Sequence, residues 1–229
     1  MERVAVIRRG IVVLALSAAA GLAGGWLLLR PSAAPGAAAY SFQPPASKTN
    51  APSEGLCTEC HTGGLNVTGG SLEIQGVPAA YQPGTTYSLT VQLQKPGQQR
   101  WGFELTALRD SAGVAVQAGS FANTTDFTAV QMSPVNARNR LYVSHYRGIA
   151  DGTYLGTLDG PVTWTFDWTA PAPGAGTVTF YAAGNAANGN LVSGAGDYIY
   201  TRADSTSENA PTAVSSTTWG RIKRIFQSR

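Results

Sequence analysis

The chain of 229 residues is poor in the side chains that usually carry chemistry: two cysteines, two histidines and two methionines, with only 13% of its residues charged. Both cysteines fall in one stretch, "GLCTECHTGG" (55–64), so no second cysteine pair exists to complete a zinc site or to crosslink the rest of the chain. The low charge content excludes a coiled coil and sits badly with a cytosolic enzyme. No long amphipathic helix, Ser-His-Asp arrangement, paired carboxylates or phosphate-cradling loop stands out.

The formal charge of +3 does not signal nucleic acid. Residues 1–39 hold four arginines against one glutamate, which leaves the remainder electrically balanced. That front segment joins Arg3, Arg8 and Arg9 to an apolar run from Ile11 to Leu29 and small residues at Ala37 and Ala39. It is the layout of an export signal, expected to be cut after Ala39, although the run is also long enough to remain as an uncleaved anchor. The expected destination is the periplasm or cell surface.

What the chain does have is β pattern. Residues 40–55, "YSFQPPASKTNAPSEG", read as an extended linker without periodicity, and residues 56–69 as a separate cysteine-bearing segment. From residue 70 to 203 the period changes to two. "TTYSLTVQLQ" sets Tyr87, Leu89, Val91 and Leu93 on one face; "GFELTAL", "RLYVSHY", "VTWTFDWTAP" and "GTVTFYAAG" alternate likewise, and "GDYIYTR" is a last strand. Pro and Gly breakers separate them at the interval of a sandwich, so the expected fold class is all-β, an antiparallel sandwich. Trp164, Phe166 and Trp168 are expected in its core, and Asn185, Asn188 and Asn190 in turn chemistry. Residues 204–229 read as a linker ending in a short basic amphipathic helix, "TTWGRIKRIF", which either docks on its own domain or meets anionic lipid or an acidic partner.

Three chemistries use the Cys57-x-x-Cys60-His61 spacing. A redox dithiol needs a thioredoxin-like βαβ unit, which the sequence lacks. Zinc needs four ligands and finds three, with His145 or a carboxylate left for the fourth. Covalent haem needs two thiols on one face of a single turn, an adjoining imidazole for the iron, and export; Cys57, Cys60 and His61 supply each requirement. The expectation is a mono-haem c-type site, with Cys57 and Cys60 in thioether links and His61 as the fifth ligand. His145 reads two ways, as a satisfied core histidine or as the sixth ligand, and Met132 is the outside candidate.

The residues "YQPGTTYSLTVQL", "GFELTAL", "VSHY", "WTFDWTAPAPGAGTVTFYAAGNAANGN" and "SGAGDYIYT" resemble the Reeler (reelin-type) domain, in particular its bacterial choice-of-anchor V version. The resemblance implies an immunoglobulin-like sandwich at a cell surface, no enzymatic activity, and a histidine at the place of His145 in relatives without the haem motif. Animal members carry disulfides inside the domain, whereas both cysteines here lie outside it. Two functions are therefore expected: an exported electron carrier with a redox partner protein, or a surface module binding protein or glycan. A haem enzyme with an open sixth position is a third possibility, for which no distal acid-base groups are identified. The membrane enters through the N-terminal apolar run or the basic tail.

Overall fold

A computed structural model describes residues 40–209, together with 222–224 and 226. The expected export signal and most of the C-terminal tail lie outside the described residues. Ile222, Lys223, Arg224 and Phe226 are helical and exposed, while Trp219 and Ile225 of the same expected helix are not described. Among the described residues, no helix is long and apolar enough to cross a membrane.

The described strands are β1 (Ser71–Gln75), β2 (Ala80–Tyr81), β3 (Thr86–Gln94), β4 (Arg100–Ser111), β5 (Val114–Gln117), β6 (Ser120–Asn123), β7 (Thr128–Val135), β8 (Arg138–His145), β9 (Val162–Thr169), β10 (Val178–Ala187) and β11 (Tyr198–Glu208). They form an all-β sandwich. One sheet runs β1-β3-β9-β6; the other runs β2-β11-β10-β4-β8-β7, with β5 on β4. Every pairing is antiparallel except the two-residue β2, which lies parallel to the end of β11.

Alternation builds the core as expected. Leu89, Val91 and Leu93 of β3 face Phe166, Trp164 and Val162 of β9 across the ladder, Trp168 faces Tyr87, and all but the half-buried Tyr87 are buried. They meet Phe103 and Leu105 of β4 and Phe180 of β10 from the second sheet. The indole N–H groups do not go unpaired: Trp164 donates to Gly152 O at 2.7 Å and Trp168 to Ala118 O at 3.0 Å. A buried tryptophan keeps its stability only when that donor is satisfied.

Residues 40–55 differ from the expected free linker. They lie along the second sheet and touch the side chains that alternate with its core set. Lys48 N donates to Glu104 Oε2 at 2.7 Å, Ser47 to the Tyr142 hydroxyl at 3.1 Å, and Gln43 to Ser144 Oγ at 3.3 Å. Arg140 pairs with Glu54 at 2.5 Å and donates to Pro52 O at 2.9 Å, with both charged side chains buried. Phe42 packs edge-on to Tyr146. The physical reason is the sheet's own composition: Glu104, Arg140, Tyr142 and Ser144 form a polar surface that this Pro-rich backbone can hydrogen-bond. The last strand also runs on to Glu208, past the expected boundary at 203.

Candidate functional site

The cysteine segment is built by local hydrogen bonds. Residues Cys57–Glu59 form one 3₁₀ turn, in which Glu59 N donates to Leu56 O at 3.0 Å and His61 N to Cys57 O at 2.9 Å. Leu56 N in turn donates to the Glu59 carboxylate at 3.2 Å. Beyond the turn, the chain joins the edge of β11: Ile199 N donates to Gly64 O at 2.8 Å, Asn66 N to Ile199 O at 2.7 Å, and the Asn66 side chain donates to Thr201 Oγ1 and accepts from Thr201 N, both at 2.9 Å. Gly63 makes this approach possible, since a Cβ there would lie 1.1 Å from the carbonyl oxygen of Asp197.

Cys57, Cys60, His61 and His145 line one cavity of about 260 Å³. Trp101 and Phe103 contribute apolar wall, and Tyr40, Pro44 and Pro45 of the N-terminal segment close part of it. The structure thus brings together the four site residues singled out in the sequence. Met132 is not among them: it stands 63% exposed on β7.

His61 is held from one side. Its Nδ1 lies 2.7 Å from Asp197 Oδ2, and Asp197 is itself buried at the start of the β11 edge. A carboxylate only accepts, so the neutral ring carries its proton on Nδ1 and keeps the lone pair on Nε2. Asn185 Nδ2 sits 3.1 Å from Nδ1 and 3.2 Å from Nε2, and so is centred on neither ring nitrogen. A histidine fixed in this way is the usual preparation of a metal-ligating imidazole.

The thiols behave otherwise than a redox pair. Both are free. Burial, reinforced by the neighbouring Glu104 carboxyl, pushes the Cys57 thiol up to about 12, the opposite of an activated thiolate. Among the described residues, no three His, Cys, Asp or Glu side chains gather where they could hold a metal ion.

His145 ends β8. The next pair in the β4–β8 register after Glu104–Ser144 brings His145 opposite Phe103, and its Nδ1 accepts the Phe103 N–H at 3.2 Å. Burial pushes the ring down to about 4, with the Tyr40 backbone opposing. Its Nε2 is buried without a hydrogen-bond partner. The ring rests on Gly102, where a Cβ would lie 2.8 Å from Cε1. His145 therefore belongs to the cavity wall, although its alternation with Leu141 and Val143 had suggested the core.

Sequence reasoning missed Asp197, Asn185, Glu104 and Arg100, all on the cavity wall. Asp197 was visible as the first carboxylate after the asparagine cluster, but 136 positions separate it from His61. The asparagines divide in role: Asn188 and Asn190 cap their own loop, accepting from the amides of Asn190 and Val192 at 3.0 and 2.9 Å. Asn185 faces His61 instead.

No family model matches the chain, and neither does any curated protein. Among solved structures it is similar to the human F-spondin reeler domain, at 22% identity over 65% of this chain and 95% of that one, with a TM-score of 0.40. It is similar to a cohesin module of a Clostridium perfringens family 33 glycoside hydrolase, at 13% identity over 62% and 98% of the two chains, TM-score 0.40. It is also similar to AvmM, which catalyses macrocyclization in alchivemycin A biosynthesis, at 13% identity over 66% and 94%, TM-score 0.41. Reeler domains are thus among the sandwiches this chain is similar to, and likeness at this level says nothing of what it binds.

Proposed function

We propose that this chain is an exported c-type haem protein that carries electrons in the cell envelope, with Cys57 and Cys60 bearing the macrocycle and His61 its iron. The observation that carries the reading is the shared cavity: the Cys57-x-x-Cys60-His61 turn opens onto an apolar wall, with the His61 tautomer set by Asp197. Bound there, haem would supply a one-electron couple. The chain's own part is to hold and shield. Asp197 fixes the tautomer and orientation of the imidazole. Trp101 and Phe103 exclude water along one side, and the Cys57 thiol, with its pKa pushed up to about 12, stays protonated and weakly nucleophilic until it is used. At about 260 Å³ the cavity lies below the usual ~300–1,000 Å³ of enclosed ligand sites, so one edge of a macrocycle would remain at the surface, as electron exchange with a partner protein requires.

The test is a reduced-minus-oxidised spectrum of protein made with c-type maturation factors. The expected result is the sharp visible band pair of a ferrous c-type haem, lost in Cys57→Ser/Cys60→Ser and altered in His61→Ala. A featureless spectrum from well-folded, matured protein would overturn the reading.

A second reading is favoured by a different observation. Leu191 and Val192 at the cavity mouth are 74% and 60% exposed, and Ile149, Leu155 and Leu158 are also exposed. On this reading the sandwich is a non-enzymatic binding module for protein or glycan at the cell surface, with the cysteine segment secondary. Binding of a surface partner by haem-free protein, abolished by Leu191→Ser/Val192→Ser, would favour it.

A further inference from the structure

We propose that His145 and Arg100 form a carboxylate-binding subsite in the cavity wall, filled by a propionate of the macrocycle, so that His145 is a hydrogen-bond donor rather than the sixth iron ligand. The choice of occupant rests on the haem reading above; the subsite itself rests on the following geometry.

The tautomer decides the role of His145. Its Nδ1 accepts from the Phe103 N–H, so a neutral ring carries its proton on Nε2. Turning the ring over would set a carbon against that buried N–H and leave a backbone donor unpaired, which is costly. Nε2 is therefore a donor, is buried with the residue only 6% exposed, and has no partner at hydrogen-bonding geometry, with the Tyr40 backbone near enough to favour the protonated ring. An iron would need the lone pair that this tautomer does not offer. An oxygen acceptor would satisfy it.

The charges on the wall say which acceptor. Lys48 is paired with Glu59, and Asp197 with His61. Burial pushes Glu104 up to about 8, and its two oxygens are taken by Lys48 N at 2.7 Å and Gln131 Nε2 at 3.2 Å. Arg100 is then the cation on this wall whose guanidinium has no hydrogen-bond or ion-pair partner among the described residues, and it is close enough to His145 to lower its basicity. Asp151 pairs with Arg147 at 3.5 Å and lies outside the cavity lining, where it is also within the electrostatic reach of Arg100. Arg100 and His145 both line the cavity, and a guanidinium together with an imidazole N–H can recognise a carboxylate.

The experiment uses the full exported chain with Cys57→Ser and Cys60→Ser, labelled with ¹⁵N in histidine. The ring nitrogens of His145 are followed by NMR while sodium propionate, or neutral propionamide, is added. The expected result is a protonated Nε2 that shifts saturably with propionate and not with propionamide. Arg100→Gln should weaken the response about tenfold or more, the scale of a charge-assisted bond. A proton on Nδ1, or equal responses to the two additives, would overturn the subsite. The source of the carboxylate is read from haem and its dimethyl ester binding to the same variant: weaker binding of the ester supports the propionate, and equal binding overturns that assignment. In the matured protein, His145→Ala should leave the spin-state bands unchanged, and a conversion to high spin would restore His145 as the ligand. If matured protein carries no haem, the haem reading fails while the propionate titration still decides the subsite.

Discussion

The two sheets of this sandwich are buried in different ways. In the β1-β3-β9-β6 sheet, β9 alternates as its sequence says, with Val162, Trp164, Phe166 and Trp168 buried and Thr163, Thr165, Asp167 and Thr169 at least partly open. In the other sheet, β4 is buried continuously from Trp101 to Leu108, and β8 from Tyr142 to His145. The residues that break the alternation are Glu104, Thr106, Tyr142 and Ser144, polar groups expected to face water. The difference teaches that the second sheet has a cover. The cover is the 40–61 segment, and the cavity forms where it meets the sheet.

The largest way to break this contrast is Arg140→Ala. It strands the buried Glu54 carboxylate, which also accepts from Tyr142 at 2.8 Å and Thr49 at 2.6 Å. Removing one partner of a buried pair costs about 3–5 kcal/mol. Urea unfolding should show that loss, and limited proteolysis should begin within residues 40–61 ahead of the strands. Cleavage unchanged from wild type would mean that the pair does not hold the cover.

Next comes Gly102→Ala, which sets a Cβ 2.8 Å from His145 Cε1 and 2.9 Å from Nδ1. The ring must move or the strand must bend, at about 1–3 kcal/mol for overpacking. Denaturant midpoints and the His145 resonances should shift together. A stability loss with the His145 resonances unmoved would place the strain elsewhere.

The contrast also shows with pH. Folded Glu104 keeps its proton to about 8, against 4.5 when unfolded, so its contribution is whole below pH 4.5 and is lost as pH rises through 8. Folded His145 stays neutral down to about 4, against 6.5 unfolded, so its contribution is lost as pH falls from 6.5 towards 4. Glu104→Gln should flatten the alkaline decline and leave the acid one. Melting curves at pH 5, 6.5 and 8 read this, with each kcal/mol worth about 2–4 °C. A Gln variant with the wild-type alkaline slope would assign that slope to another group.

The smallest effect is expected on the uncovered sheet. Thr163 of β9 is exposed, and Thr163→Ala should stay within about 0.5 kcal/mol in the same unfolding assay. A loss of several times that would show that this face is covered too.

How much of this was legible in the sequence follows the same division. The strands β3, β9 and β10 could be read from period two because one face of each supplies the core. The edge strands β5, β6 and β7 could not: they are short, polar, or interrupted by Pro134, and β6 pairs with β9, far along the chain. The cysteine turn was legible as a motif, because its chemistry is local. Its support was not. Asp197 reaches His61, Glu54 reaches Arg140 and Glu104 reaches Lys48 N across long sequence separations, and no periodicity records such contacts. The segment read as a linker lacks apolar period because backbone hydrogen bonds and one buried ion pair hold it.

The central claim is covalent haem on Cys57 and Cys60, and intact-mass measurement of the matured, exported protein tests it most directly. The account requires wild-type chain heavier by one haem, the addition surviving denaturation, and bare polypeptide for Cys57→Ser/Cys60→Ser. Wild-type protein at the bare polypeptide mass, after maturation that loads a control cytochrome, would contradict it.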